Sequence, residues 1–255
     1  MLSRVASKFL RAAAVLAAGA AIVASAHAMA GQPAAKPKKK TYVIGLVAKS
    51  QNNPVFLAAR TGAEDAAMEL GGKYGVDIRI EWRTPIQEDA QKQAEYIEQL
   101  ASAGADGIAV SCSDAKTLTM AINSAVDRGT PVVCFDSDAP ESKRFAYYGT
   151  DDFACGQKVA QELARTMGNK GVVAILAGNQ TAPNLQRRVA GVREGLSTHP
   201  DIKILDVYNH KETPQDAVNK LEEVQRTNPQ ITGWAMVGGW PLFTQNALDN
   251  VHAKV

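Results

Sequence analysis

Short runs of apolar residues alternate along the chain with longer segments in which apolar positions recur at helical spacing. The first run is the clearest, because five of the seven residues from Tyr42 to Ala48 are large and apolar or aromatic. Such a run is typical of a parallel strand covered on both faces. A polar turn follows, and Pro54 suits the first turn of a helix, where its missing N–H would have no partner anyway. The turn of such a unit lies at the carboxyl edge of a sheet, where open α/β sheets bind ligands. We therefore expect four residues near a ligand: Lys49, Asn52, Asn53 and Phe56.

The same alternation continues along the chain and predicts an α/β protein with parallel sheets. The pattern breaks at 136–144, which is rich in Asp, Ser and Pro, and restarts near Gly149. We therefore predict two similar α/β halves, 41–149 and 150–255, with a cleft between them that suits a small ligand. After the first strand, strands are predicted at 76–81, 107–111, 132–135, 145–149, 172–176, 202–208 and 233–237, and helices at 55–70, 88–103, 115–128, 153–167, 184–198, 215–227 and 242–253.

The first 40 residues differ in composition from the rest of the chain. A basic segment with Arg4, Lys8 and Arg11 precedes a small-residue apolar run, and 26–28 fits an A-x-A cleavage site. This order predicts a cleavable signal peptide over 1–28 and export to the periplasm. The alternative, a membrane anchor, fits less well, because a span needs ~20 strongly apolar residues. Residues 29–40, with their Pro and Lys, predict a disordered linker.

Composition and cysteine usage exclude several classes of protein. The 255 residues are 45% hydrophobic, which supports a sizeable core, and the formal net charge of +2 indicates no nucleic-acid partner. Cys112, Cys134 and Cys155 include no CxxC pair, so we interpret them as small buried residues and expect neither a disulfide framework nor a metal site. The chain has no GxSxG elbow, phosphate-binding loop, HExxH motif or GxGxxG after the first strand. We therefore predict a protein that is not an enzyme and needs no cofactor.

Polar side chains gather instead where the predicted strands end. They lie at Asn53, at 111–114, at 136–138, at 179–184 and at 238–240, and Arg188 shares a helix face with Asn184. Amides, carboxylates and an arginine suit a polyhydroxylated ligand, and Phe56 or Trp240 is suited to stack on its apolar face. Each residue has a structural alternative: Asn53 as a helix cap, Asp136 as a turn residue and Trp240 as core.

Four motifs resemble the periplasmic sugar-binding proteins of ABC importers, most closely the ribose-binding type. They are NNPVF after the first strand, PVVCFDSD at the fourth, YYGTDD at the midpoint and NLQRRVAGV at the start of a helix. The resemblance implies the type I periplasmic binding protein fold, shared with the ligand domains of LacI repressors. In that fold two Rossmann-like lobes, joined by a hinge, close on a sugar without chemistry. It also implies an ABC transporter permease as partner, and we expect a monomer.

The ligand residues of that family carry over unevenly. The resemblance assigns the amide to Asn53, the aromatic to Phe56, the carboxylate to Asp136 and the arginine to Arg188. The family has an Arg at Ser137, a second-lobe aromatic at Glu212 and an Asn at Trp240, so the ligand is open between a sugar, a polyol and another polar solute. The family also continues beyond the point that corresponds to Val255, which implies an incomplete second lobe. The expected ligand-binding set is Asn53, Phe56, Asp136, Ser137, Asn184, Arg188 and Trp240.

The favoured function is an exported solute-binding protein that delivers a sugar-like ligand to an ABC permease. A ligand sensor of the same fold for a membrane receptor is the alternative, and an exported α/β hydrolase is a third. We expect Asn53 and Asp136 from one lobe and Arg188 from the other to bind the same ligand when the lobes close. In the alternative arrangement, Arg188 pairs with a carboxylate of its own lobe.

Overall fold

The alternating pattern folds into two groups of parallel strands with helices between them. The computed structural model describes residues 41–245, 248, 249 and 251. The predicted signal peptide and linker therefore lie outside the described residues. The strands are β1 (Thr41–Val47), β2 (Asp77–Trp82), β3 (Gly107–Val110), β4 (Val132–Phe135), β5 (Ala146–Tyr148), β6 (Gly171–Ala177), β7 (Ile202–Asn209) and β8 (Gly233–Met236). The helices are α1 (Pro54–Tyr74), α2 (Ala90–Ser102), α3 (Ala115–Asp127), α4 (Asp152–Thr166), α5 (Pro183–Ser197) and α6 (Pro214–Thr227).

All pairings in both sheets are parallel, as the sequence pattern predicted. One sheet has the order β2-β1-β3-β4-β5 and the other has the order β7-β6-β8. We call the part of the chain from β1 to β5 the first lobe and the part from α4 onward the second lobe. Each lobe has its own core, one around Ile97, Val110 and Ile122 and the other around Ile175 and Leu221. The carboxyl ends of the strands, and the loops that follow them, are therefore the parts available to form a site.

Side-chain caps define where most of the helices begin. Asn53, Asp89, Asp114, Asp151 and Thr213 each accept a hydrogen bond from a backbone N–H in the first turn of the following helix. These caps satisfy N–H groups that the helix itself leaves unpaired. The capping residues lie directly after strands or turns. The observed helices α1–α6 begin within about two residues of the predicted positions.

The first helix is longer than the predicted 55–70. Helix α1 continues to Tyr74 and ends at Gly75, which adopts the left-handed conformation with φ of 66°. Gly71 is buried inside the helix, where a Cβ atom would lie 2.8 Å from the carbonyl oxygen of Val76. Close packing of the helix against the following chain, rather than helix termination, accounts for this glycine.

The helix predicted at 242–253 is also not observed. A short 3₁₀ helix, Trp240–Phe243, occupies this position, and Thr244 is extended. None of the described residues in that range is α-helical; 246, 247, 250 and 252–255 lie outside the described residues. Pro241 and the packing of Trp240 fix this segment in a tight turn, which the helical spacing of the sequence did not reveal.

Cys112 and Cys134 are fully buried, as predicted, whereas Cys155 is only half-buried; all three thiols are free. The two buried sulfur atoms lie 3.9 Å apart at the ends of neighbouring strands. Within the part of the chain that the structure describes, none of the helices combines the length and the apolar character needed to cross a membrane.

Candidate functional site

The two lobes contact each other at the carboxyl ends of their strands. The side-chain amide of Asn179, which follows β6, donates to Oε1 of Glu88 at 2.9 Å and to the carbonyl oxygen of Ser113 at 3.2 Å. The hydroxyl of Thr181 donates to the same carbonyl at 3.3 Å. These bonds join loops of the second lobe to loops of the first, so the structure represents a closed arrangement of the lobes.

A buried lysine lies at the centre of this contact. Lys49, in the loop after β1, is only 2% exposed. Its Nζ donates to Oδ1 of Asn184 at 3.2 Å and lies 3.8 Å from Oε1 of Glu212. Both partners belong to the second lobe. Since a buried ammonium group is costly without partners, these contacts tie the loop after β1 to the opposite lobe.

Asp136 joins the same cluster from the end of β4. Its carboxylate accepts hydrogen bonds from Oγ of Ser111 at 2.7 Å and from Nδ2 of Asn184 at 3.3 Å. Its backbone has a φ of 58°, in the left-handed region that residues other than glycine adopt infrequently. Tyr147 holds this conformation by donating to the Asp136 carbonyl at 2.9 Å. We call Lys49, Asp136 and Asn184 the inter-lobe cluster.

Arg188 adopts the alternative arrangement considered from the sequence. Its Nε donates to Oδ1 of Asp152 at 2.8 Å, and its Nη1 donates to the carbonyl of Val237 at 3.0 Å. All three residues belong to the second lobe. Burial raises the pKa of Asp152, and the neighbouring Arg188 acts in the opposite direction. A ligand-binding role for Arg188 stays a prediction, since in this arrangement its guanidinium group is engaged with its own lobe.

The other predicted residues occupy different environments. Asn53 caps α1 by accepting from the N–H of Val55 at 3.0 Å and also lines a cavity between the lobes. Phe56 is 2% exposed on the first turns of α1. Ser137 is fully buried, and its Oγ has no hydrogen-bond partner within the described residues. Their binding roles likewise stay predictions.

A cavity of about 670 Å³ lies beside the inter-lobe cluster. Trp240 lines it, together with Asn53, but Asp136, Ser137, Arg188 and Phe56 are not among its lining residues. Asn184 lines a second cavity of about 300 Å³. The predicted set is therefore divided between a closely packed cluster and an open cavity. The first-lobe lining of the larger cavity consists of Ser50, Asn52, Asn53, Pro54, Ile86, Gln87 and Glu88, and the second-lobe lining of Gly178, Asn179, Gln180, Asn209, His210, Lys211, Glu212, Thr213, Pro214, Asp216, Trp240 and Phe243.

Two buried ionisable side chains follow β7 in this lining. Glu212 accepts from the backbone N–H of Asn179 at 3.3 Å, and burial raises its pKa to about 7 against the opposing effect of Lys49. His210 packs edge-on against Trp240, with 4.8 Å between the ring centroids. Burial lowers the pKa of His210, so its ring is neutral at pH 7. The wall after β7 thus combines a buried carboxyl, a neutral imidazole and an aromatic ring.

Sequence reasoning underestimated this part of the site. From the sequence, Glu212 is only a departure from the aromatic of the family, and Glu88 is not among the predicted site residues. Both the end of β7 and the segment before α2 are loops at the carboxyl edge of a sheet, so the rule that identified Asn53 and Asp136 also applies to them. Among the described residues, no group of three or more His, Cys, Asp and Glu side chains is arranged to hold a metal ion.

Comparison with known proteins agrees with this geometry. Residues 44–254 match a family model described as a periplasmic binding protein domain. A ribose import binding protein of Bacillus subtilis is 29% identical over 160 residues, which cover 63% of this chain and 50% of that protein. A xylitol-binding protein of Mycolicibacterium smegmatis is 30% identical over 172 residues, covering 64% of this chain and 48% of that protein. The chain spans about half the length of these curated relatives.

A solved structure extends the similarity to the fold. The solute-binding protein of an ABC transporter from Burkholderia graminis C4D1M, in complex with D-arabinose, has a TM-score of 0.75 and 27% identity to this chain. The match covers 86% of this chain and 75% of that one. The resemblance and the fold class predicted from the sequence motifs are therefore confirmed.

Proposed function

The chain belongs to the periplasmic binding protein domain family, and we propose from this premise that it captures a sugar-like polar solute between its two lobes. The observation that carries the proposal is the inter-lobe cavity of about 670 Å³. This volume lies within the range of cavities that hold small molecules.

The chemistry of the lining supports a polyhydroxylated ligand. Six side-chain amides line the cavity, and an amide both donates and accepts hydrogen bonds, as hydroxyl groups require. The amides of Asn53, Asn179 and Asn209 also make hydrogen bonds within the protein. Trp240 adds an aromatic surface suited to the apolar face of a sugar ring or polyol chain. The similar proteins are named for ribose and xylitol, and the similar structure holds D-arabinose, which supports a ligand among pentoses, related sugars and polyols. The amides are Asn52, Asn53, Gln87, Asn179, Gln180 and Asn209.

The remaining parts of the proposal are export and delivery. The chain acts as a monomer in the periplasm, without enzymatic activity, and passes its ligand to an ABC permease. This follows the resemblance to import binding proteins and the signal-like pattern of residues 1–28. N-terminal sequencing of the exported protein is expected to begin at Met29. Intact Met1 on a cytoplasmic protein would exclude export.

A melting experiment on the full chain tests ligand binding directly. The panel contains D-ribose, D-arabinose, xylitol and other sugars and polyols. A ligand at 100 times its Kd that binds only the folded state stabilises it by ~2.7 kcal/mol, or roughly 5–10 °C for a chain of this size. Where a sugar has an L enantiomer, that enantiomer controls for general stabilisation by polyols. If no compound raises the melting temperature above its control or gives binding heat by calorimetry, the proposed function is wrong.

A further inference from the structure

Two carboxylates from opposite lobes meet at one wall of the cavity. Asn179 contacts both, since its side-chain amide donates to Oε1 of Glu88 at 2.9 Å and its backbone N–H donates to Oε1 of Glu212 at 3.3 Å. All three residues line the cavity. Glu88 is half-buried and Glu212 is nine-tenths buried. Because like charges repel strongly where water is largely excluded, closing the lobes concentrates negative charge at this wall.

The basic groups nearby balance only part of this charge. Lys49 forms a buried ion pair with Glu212 at 3.8 Å, although it is outside the lining and its hydrogen bond goes to Asn184. Asp216 and the exposed Lys211, both in the lining, offset each other. With Glu88, Glu212 and Asp216 set against Lys49 and Lys211, one negative charge is in excess when all are ionised. The effect of Asp136 on Glu212 adds to the negative side.

His210, in the same wall, adds no positive charge that would balance the two carboxylates. His210 is nine-tenths buried, and its Nδ1 donates to the carbonyl oxygen of Lys211 at 2.5 Å. In the neutral ring, Nε2 is therefore an acceptor, and it has no hydrogen-bond partner within the described residues. A buried acceptor without a donor is uncommon in folded proteins. Nε2 is enclosed within the protein, so the groups of this wall that a ligand would meet are the two carboxylates and the neighbouring amides.

We propose that the cavity prefers a polyhydroxylated ligand with an ammonium group, such as an amino sugar, over the neutral sugar and over the sugar acid, and that Glu212 and Glu88 determine this preference. An ammonium group brings three donors and no acceptor, and it relieves the repulsion between the two carboxylates. Trp240 provides an aromatic face that attracts a cation. A ligand carboxylate would instead add a further negative charge. This inference rests on the proposed function and specifies its ligand.

Calorimetric titration of the full chain at pH 7.5 with matched probes tests the inference. The probes are D-glucosamine, D-glucose and D-glucuronate, and the corresponding galactose series. In the series that binds, we expect the amino sugar to bind at least tenfold more tightly than the neutral sugar, and the acid to bind at least tenfold more weakly. Glu212→Gln and Glu88→Gln are each expected to reduce the preference for the amino sugar at least fivefold. Glu98→Gln, on the exposed side of α2, is the matched control and is expected to preserve it.

The outcomes separate this inference from the proposed function. Glu88 is only half-buried, so Glu88→Gln keeps the test decisive if Glu212→Gln does not fold, and thermal melts monitor both variants. A sugar acid that binds as tightly as the amino sugar would overturn the inference. So would an unchanged preference for the amino sugar in the folded Glu212→Gln and Glu88→Gln variants. If neutral sugars of the wider panel bind and no amino sugar does, the inference is wrong while the proposed function stands. If no probe of either kind binds, both are wrong.

Discussion

The inter-lobe cluster and the cavity beside it lie at the same edge of the sheets, but the polar groups of the two regions differ in their surroundings. In the cluster, Lys49, Asp136 and Asn184 satisfy one another across the lobes. In the cavity, Glu212 and His210 line a space of about 670 Å³ between the lobes. The difference teaches that position at a strand end brings a residue to the site, whereas its partners decide whether it is free to bind. The cluster holds the closed arrangement, and the cavity provides the space for a ligand.

Removing the charge of Lys49 is expected to have the largest effect on stability. Lys49→Met keeps most of the volume but leaves Glu212 without its nearby cation in a buried site. Breaking a buried ion pair costs about 3–5 kcal/mol, so we expect a loss of unfolding free energy of about 3 kcal/mol at pH 8. Urea denaturation measures it.

An exposed ion pair provides the control for that experiment. Arg60 and Glu64 form an i,i+4 pair on α1 that is largely solvent-exposed, and Arg60→Met is expected to change the unfolding free energy by less than about 1 kcal/mol. If Lys49→Met is equally mild at pH 8, the cluster does not stabilise the closed arrangement.

Substitution of Arg188 tests whether its side chain binds the ligand in addition to pairing with Asp152. Arg188→Ala leaves the buried carboxyl of Asp152 without its ion-pair partner, so the melting temperature is expected to fall. If Arg188 also contacts the ligand, as the sequence predicts, calorimetry will show affinity weakened by roughly tenfold to a hundredfold, at ~1.4 kcal/mol per decade. Unchanged affinity in the folded variant would remove Arg188 from the binding site and assign it to the lobe interior alone.

A smaller effect is expected on the pH dependence of stability, which tests the burial of Glu212 in the cavity wall. The pKa of Glu212 is raised from 4.5 to about 7, mainly by burial, so the folded state holds this proton more tightly than the unfolded state. The resulting stabilisation is fully present below pH 4.5 and is lost as the pH rises to about 7. The raised pKa of Asp152 acts in the same direction. We expect Glu212→Gln to flatten the melting temperature between pH 4.5 and pH 7 relative to the wild type; an identical slope would contradict the burial of this carboxyl.

Most elements of the fold were predictable because their signals are local. Apolar runs predict the strands and helical spacing predicts the helices, and in the structure Asp89 and Asp114 cap helix starts through contacts three residues away. The misses have tertiary causes. Gly71 is required by its approach to Val76, and the packing of Trp240 sets the turn that replaces a predicted helix.

The positions of the site residues were more predictable from the sequence than the contacts that these residues make. The rule that ligand residues follow strand ends predicts Asn53 and Asp136 near a ligand. In the structure Asn53 lies beside the cavity and Asp136 at the lobe contact, and their binding roles stay predictions. The rule could not show that Arg188 pairs with Asp152, because that choice depends on how α4 and α5 pack. Nor could it show which of several strand-end residues leave space between them. Those properties arise only when the two lobes meet.

Fluorescence of Trp240 tests the central claim, that a sugar-like ligand occupies the cavity, most directly. Trp240 and Trp234 both belong to the second-lobe core, but of the two only Trp240 lines the cavity, and Trp82 lies on β2. Titration of the full chain with the ligand identified by the melting panel is expected to give a saturable change in emission that is absent in Trp240→Phe. Binding heat without any Trp240-dependent change in emission would contradict the account.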